Sequence, residues 1–197
     1  MLSKFIIFLL LLYYSSAFNY PISYDCSILE KNVTVTNFDY KKSLGYWYEL
    51  YRGTNFEAQD CNCSKIDYHL SRHGYIEIDK QCVINNYIKT IKGDKINLVK
   101  GYGEITSIKN KNNLLKHKYN VFYTSEKNNK YDLMGIISCI NTHTGGEIGL
   151  WILSRSKYTS SIMDIKKVLD YMEYIGLEDQ IYELYEVNHQ TPLCMGL

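Results

Sequence analysis

From Tyr46 to Ser154 the chain is a succession of short β-type segments, and a single amphipathic helix follows them. That order constrains the fold more than any other feature of the sequence. Tyr46 to Thr54 and Cys61 to Leu70 read as strands. Arg72-His73-Gly74 is a turn signal, and Tyr75 to Asp79 alternates apolar and polar residues as a half-buried strand does. Lys92-Gly93-Asp94-Lys95 is a second turn signal. Ile96 to Ile108 reads as one strand broken by Gly101 and Gly103, which suits a bulge or bend in a curved sheet. Leu114 to Ser125, Tyr131 to Cys139 and Ile148 to Ser154 complete the series, with polar loops at 109–113, 126–130 and 142–146. Then Ile162, Ile165, Val168, Leu169 and Met172 recur at three- and four-residue spacing, opposite Asp164, Lys166, Lys167 and Asp170. Thr159-Ser160-Ser161 offers N-caps and Gly176 a stop. Ile181 to Val187 is a last short strand. About seven to nine strands and one helix make a β-barrel or sandwich with the helix on its outside.

The first residues set the compartment. Met1 to Lys4 is brief and carries one positive charge, Phe5 to Leu12 is apolar, and Ser15 and Ala17 are small where a signal peptidase reads. This predicts a secretory signal peptide over 1–17 and a single domain over 18–197. The apolar run falls well short of the ~20 residues that span a bilayer. In an oxidising compartment the six cysteines, Cys26, Cys61, Cys63, Cys82, Cys139 and Cys194, predict disulfides. Spacing alone leaves fifteen pairings open. Cys61-Asn62-Cys63 is C-x-C with no second pair at zinc spacing, so no metal is expected. Asn32 and Asn62 begin glycosylation sequons. Lys+Arg of 22 against Asp+Glu of 21 leaves a net charge of +1. That balance argues against a nucleic-acid or polybasic membrane-surface role. No Ser-His-Asp ordering, paired carboxylates or nucleotide loop marks an enzyme.

Two stretches carry a resemblance. One is Leu44-Gly45-Tyr46-Trp47-Tyr48-Glu49-Leu50, preceded by Asn37-Phe38-Asp39. The other is Gly149-Leu150-Trp151-Ile152-Leu153-Ser154-Arg155, immediately before the helix. Over roughly Asp25 to Cys194 the chain resembles the lipocalins, in particular the apolipoprotein D, bilin-binding and bacterial lipocalin branch. The resemblance implies an all-β fold: an eight-stranded up-and-down antiparallel β-barrel, one C-terminal α-helix packed on the outside, and a final short strand. It makes Gly45, Trp47, Tyr48, Trp151 and Arg155 the structural motif, with Trp47 at the closed end and Arg155 stacked across it. A desolvated cation–π contact of this sort is worth about 2 kcal/mol. Arg155 is one of three Arg beside nineteen Lys, which mildly supports a role that Lys cannot fill. The family's middle motif is degraded here to Thr124-Ser125-Glu126, with Tyr131 a match for its later tyrosine. The stretch 114–139 is short for three strands, and 75–108 is long for two. The resemblance further implies the disulfides Cys26–Cys139 and Cys63–Cys194, which leaves Cys61–Cys82. The exchange Cys63–Cys82 with Cys61–Cys194 stays open.

An eight-stranded barrel holds one small ligand. The implied function is to bind and to transport or sequester a small hydrophobic molecule of the fatty acid, lysolipid or sterol class, with no cofactor required. Haem or another tetrapyrrole is the alternative ligand. A lipocalin-fold enzyme or a protein-contact module is the alternative class. Tyr68, Tyr87, Tyr102, Tyr119 and Tyr123, with His69 and His117, fall on predicted strands and are the candidate lining residues. His73, His143 and His189 fall in turns or loops. The 20 Tyr reflect compositional bias as well, since Lys, Asn and Ile are abundant too. Expected partners are the ligand and a membrane receptor or lipid surface, with no nucleic acid; the chain acts as a monomer or weak homo-oligomer. The destination is the extracellular space or secretory-pathway lumen. For an intracellular parasite it would be a vacuole lumen such as the parasitophorous vacuole.

Overall fold

The computed structural model describes Cys26 and residues 34–53, 61–72, 76–91, 95–98, 101–102, 104–108, 118–142, 145–158 and 162–197. The 1–17 segment, Asn32, His73, His117, His143 and the caps at 159–161 lie outside the described residues, as does the side chain of Tyr102. The strands are β1 (Thr36–Phe38), β2 (Gly45–Gly53), β3 (Asn62–Leu70), β4 (Ile76–Ile84), β5 (Tyr87–Ile91), β6 (Lys95–Leu98), β7 (Gly101–Tyr102), β8 (Glu104–Ile108), β9 (Lys118–Lys127), β10 (Lys130–Thr142), β11 (Gly145–Ser154) and β12 (Leu184–Glu186). The helices are α1 (Tyr40–Ser43), α2 (Ile162–Tyr174) and α3 (Glu178–Ile181).

Eight staves run in the order β2-β3-β4-β6-β8-β9-β10-β11, each antiparallel to the next, and β11 returns to pair with β2. The sheet therefore closes on itself, which removes its exposed edges. Strand β5 pairs with β4 beside this circuit, β12 adds to β2, and β1 pairs with β7 in a separate two-stranded sheet.

The middle of the chain differs from the sequence expectation. Ile96 to Ile108 is not one bent strand, because β6 and β8 pair with each other from Lys95↔Ile108 to Leu98↔Ile105. Gly101 lies in β7, between those two strands. Residues 76–108 thus supply three staves and the side strand β5, while 118–142 supplies two. Two of the hairpins rest on Asn pairs in the left-handed region. These are Asn85 and Asn86 (φ 51° and 67°) between β4 and β5, and Asn128 and Asn129 (φ 53° and 59°) between β9 and β10. Asn adopts that region more readily than other non-glycine residues, and two such residues match a hairpin's twist. At the C-terminus, Ile181 ends α3 and the last strand is shorter than expected, Leu184–Glu186.

Alternation divides the core into two layers. Inside the barrel, Trp47, Ile66, Tyr68, Ile76, Val121, Met134, Ile136 and Leu153 pack together. Outside it, Leu50, Phe122, Ile137, Ile148, Leu150 and Ile152 meet Ile165, Val168 and Met172 of α2. Those three are the buried residues of the helix, one turn apart on its apolar stripe. The helix ends in a Schellman arrangement, in which Leu177 N–H donates to Met172 C=O at 2.8 Å and Gly176 N–H to Glu173 C=O at 3.1 Å. Two bulges recruit extra residues to the outer layer. Gly135 pairs with Tyr123 but Ile136 with Val121, so Phe122 is extra and both it and Tyr123 face outward. A Cβ on Gly135 would lie 2.4 Å from the Phe122 ring, so the bulged ring occupies the space that glycine leaves.

Candidate binding cup

The closed end is built around one indole and one guanidinium. Helix α1 is a single turn whose Asp39 side chain accepts from Lys41 N–H at 3.0 Å. Trp47 follows, fully buried, and donates its indole N–H to Ser43 C=O at 2.7 Å. Arg155, just beyond β11, lies with Cζ 3.8 Å from the Trp47 ring centre. Its Nε donates to Tyr131 C=O at 3.0 Å and Nη1 to Tyr46 C=O at 2.8 Å. Its Nη2 donates to Lys42 C=O at 3.0 Å and Leu44 C=O at 2.9 Å. Gly45 between them has φ +100°, a conformation that side chains rarely adopt, and a Cβ there would stand 3.4 Å from Nη1. Burial pushes the guanidinium down to about 10, with Asp132 opposing, so it remains charged at neutral pH. Phe38 stacks on Tyr131 with ring centres 5.3 Å apart, and the Tyr131 hydroxyl accepts Asp39 N–H at 2.9 Å. Together these groups close the floor.

Above the floor the interior is not purely apolar. In the β2–β11 ladder Ile152 pairs with Tyr51 but Leu153 with Glu49, so Leu50 is an extra residue. In a regular strand Glu49 and Arg52 would face opposite sides, since the side-chain period is two. The bulge turns both inward, beside Leu153 and Trp151 respectively. Both are fully buried. Arg52 Nε donates to Glu49 Oε1 at 2.8 Å, and Nη2 donates to Oε2, a bidentate pair. Lys80 on β4, paired with inward Ile66, brings Nζ to 3.5 Å from Glu49 Oε2. Burial by itself raises the Glu49 carboxyl; Lys80 and Arg52 outweigh it and hold the group below the ordinary carboxylate range. The rest of the described wall is aromatic and aliphatic apart from the buried Ser64 near Glu49 and Ser138 beside Tyr119. Tyr119 and Trp151 lie 5.9 Å apart between ring centres, with Ile78 and Tyr68 across the barrel. Burial, and then Tyr119, raise the Tyr68 hydroxyl, which therefore stays protonated.

Of the seven candidate lining residues, Tyr68 and Tyr119 face the interior. Tyr123 does not: the Phe122 bulge places it on the outer face, where its ring meets Tyr171 of α2 at 5.7 Å. Tyr87 lies on the side strand β5 and is 74% exposed. His69 also faces outward, because it pairs with Glu77 on the face opposite Tyr68 and Ile78; its ring lies 3.7 Å from Asp67 and 3.6 Å from Glu77. Tyr102 pairs through its backbone with Thr36, and His117 lies outside the described residues. Tyr48 faces outward against the His189 ring, 5.9 Å away. The cysteines are joined as Cys26–Cys139, Cys61–Cys82 and Cys63–Cys194. Asn62 is exposed, as glycosylation requires. Among the described residues no group of three or more His, Cys, Asp or Glu side chains converges to hold a metal ion.

Sequence reading missed Glu49, Arg52 and Lys80. A signal existed for Arg52. It is another of the three Arg in this Lys-rich chain, and the scarcity that singled out Arg155 applies to it equally. The successive apolar pair Leu50-Tyr51 interrupts the alternation of β2 and marks the bulge.

A cavity lies outside the barrel, between β2 and the C-terminal tail. Its volume is about 370 Å³, and Leu50, Tyr51, Lys157, Val187 and His189 line it. There His189 donates Nε2–H to Glu49 C=O at 2.7 Å, which fixes its tautomer.

No family model matches the chain. A protein of Acanthamoeba polyphaga mimivirus described as a "putative lipocalin" is 28% identical over 130 residues, 64% of this chain and 71% of that one. Among solved structures, insecticyanin from the tobacco hornworm Manduca sexta aligns with a TM-score of 0.63 at 16% identity, covering 81% of this chain and 85% of its own. Lipocalin 12 from rat epididymis gives 0.62 at 12% identity, over 80% and 89%. The cockroach allergen Per a 4 gives 0.60 at 18% identity, over 78% and 89%. The closed barrel of eight staves, the helix on its flank and these likenesses agree: the chain has the lipocalin fold.

Proposed function

We propose that this protein binds a small hydrophobic molecule of the fatty acid, lysolipid or sterol class inside its barrel, and carries or sequesters it. The observation that carries this reading is a floor sealed by Trp47 and Arg155 beneath a layer of inward aromatic side chains, Tyr68, Tyr119 and Trp151. Apolar surface withdrawn from water there contributes about 25 cal/mol per Å². The two tryptophan motifs support a place in the apolipoprotein D and bilin-binding branch. Three disulfides suit an oxidising lumen or the extracellular space. The mode of action is non-covalent.

The chain has two Trp, so the variant Trp47→Phe leaves Trp151 as a reporter within the wall. Its fluorescence is expected to change on titration with a long-chain lipid probe, with a midpoint at or below about 1 μM, roughly −8 kcal/mol. Native mass spectrometry after mild purification is expected to show a bound lipid. A barrel that purifies empty and takes up no lipid probe overturns the reading. Haem titration examines the tetrapyrrole alternative. A shifted Soret band would favour it, although His69 and His189 both lie on the outside of the wall.

A further inference from the structure

The layer of charge above the floor points to the polar end of the cargo. Glu49, Arg52 and Lys80 are all turned into the barrel, and the bidentate contact with Arg52 already neutralises the Glu49 carboxylate. Lys80 is left 3.5 Å from Oε2, longer than the 2.7–2.9 Å of a charge-assisted hydrogen bond. Its side chain keeps 20% exposure, whereas Glu49 and Arg52 keep almost none, so of the three it is the one not fully enclosed by protein. Among the described side chains of this layer there are two cations and one anion. An excess of positive charge among buried apolar side chains favours an anionic guest, because the attraction is screened less there than in bulk water. Lys80 stands close above the floor, because its Nζ reaches Glu49, two residues along β2 from Trp47. A guest whose head reaches Lys80 therefore places its apolar body upward against Tyr119 and Trp151.

We propose that Lys80 is the head-group site of the barrel, and that it selects a guest with a carboxylate on an apolar body, the carboxylate meeting Nζ opposite the Glu49–Arg52 pair. This rests on the reading of the barrel as a hydrophobic cup and names the chemistry of its guest. Two sources carry that chemistry, a fatty acid and the propionates of a tetrapyrrole.

The test compares palmitate with methyl palmitate, and protoporphyrin IX with its dimethyl ester, on the full chain and on Lys80→Met. The expected result is that one free acid binds at least about tenfold more tightly than its ester. Lys80→Met is expected to reduce that ratio to about twofold or less while leaving ester affinity unchanged, which also shows that the variant is folded. Lys80→Arg is expected to restore the preference. Whichever acid shows the effect identifies the source. Equal binding of acids and esters overturns the head-group site but leaves the hydrophobic cup standing. Absence of binding by all four overturns both. A preference that persists in Lys80→Met also overturns the assignment to Lys80.

Discussion

At the residue scale, the floor and the bulges make separate demands. Trp47 is fully buried and hydrogen-bonded, so Trp47→Ala is expected to cost about 3–5 kcal/mol in denaturant unfolding, as for other buried aromatics. A loss below about 1 kcal/mol would contradict its place in the floor. Arg155→Lys keeps a positive charge but surrenders the planar stack and most of the four carbonyl contacts, and about 2 kcal/mol should be lost. Gly135→Ala places a methyl group against the Phe122 ring and should cost about 1–3 kcal/mol. Combined with Phe122→Leu, the two losses should add to less than their sum, because the smaller side chain removes the clash. Trp47 and Arg155 were legible in the sequence because they stand in a recognisable motif. Glu49 and Arg52 were not, because a three-residue separation in a strand reads as opposite faces until a bulge is known. Tyr123 was misplaced for the same reason. Lys80 was not read as a strand position, because the alternation ends at Asp79 whereas β4 runs on to Ile84.

At the element scale, strand existence was legible and strand partnership was not. The apolar segments locate β2 and β3 within one residue at each end, and β11 at its end, although β11 begins three residues earlier, at Gly145. The glycines of 101–103 suit a bend or a reversal equally, and only pairing of β6 with β8 decides between them. The Asn pairs at 85–86 and 128–129 are weaker turn signals than Asn-Gly, so the first hairpin escaped notice. The tail is a further element whose hold on the barrel is measurable. Cys63 and Cys194 are separated by 131 positions, and on chain-entropy reasoning their bond contributes about 5 kcal/mol. The double variant Cys63→Ser, Cys194→Ser should lose a large part of that in thermal unfolding. It should also expose β12 and the last residues to hydrogen exchange before the staves.

At the scale of the whole molecule, acid is expected to loosen the tail. Burial lowers the His189 pKa, and the hydrogen bond to Glu49 C=O only partly opposes it; Glu49 attracts the proton, while Lys157 and Arg52 repel it. A depressed folded-state value means that stability is full above the unfolded value of about 6.5 and is lost as pH falls through the folded one. The melting temperature should therefore drop between about pH 7.5 and pH 5 by more in the native chain than in His189→Gln, which keeps a donor but does not titrate. Equal drops in both would remove His189 from the account. The disulfide map has a different consequence, one of connectivity. The spans 26–139 and 63–194 overlap, so together they bracket every peptide bond from residue 26 to residue 194. A single proteolytic nick anywhere in that stretch leaves one covalent molecule. After limited digestion at a single site, a non-reducing gel should show one band at full mass and a reducing gel two. A barrel wired in this way can be cut by a protease and still keep both fragments together.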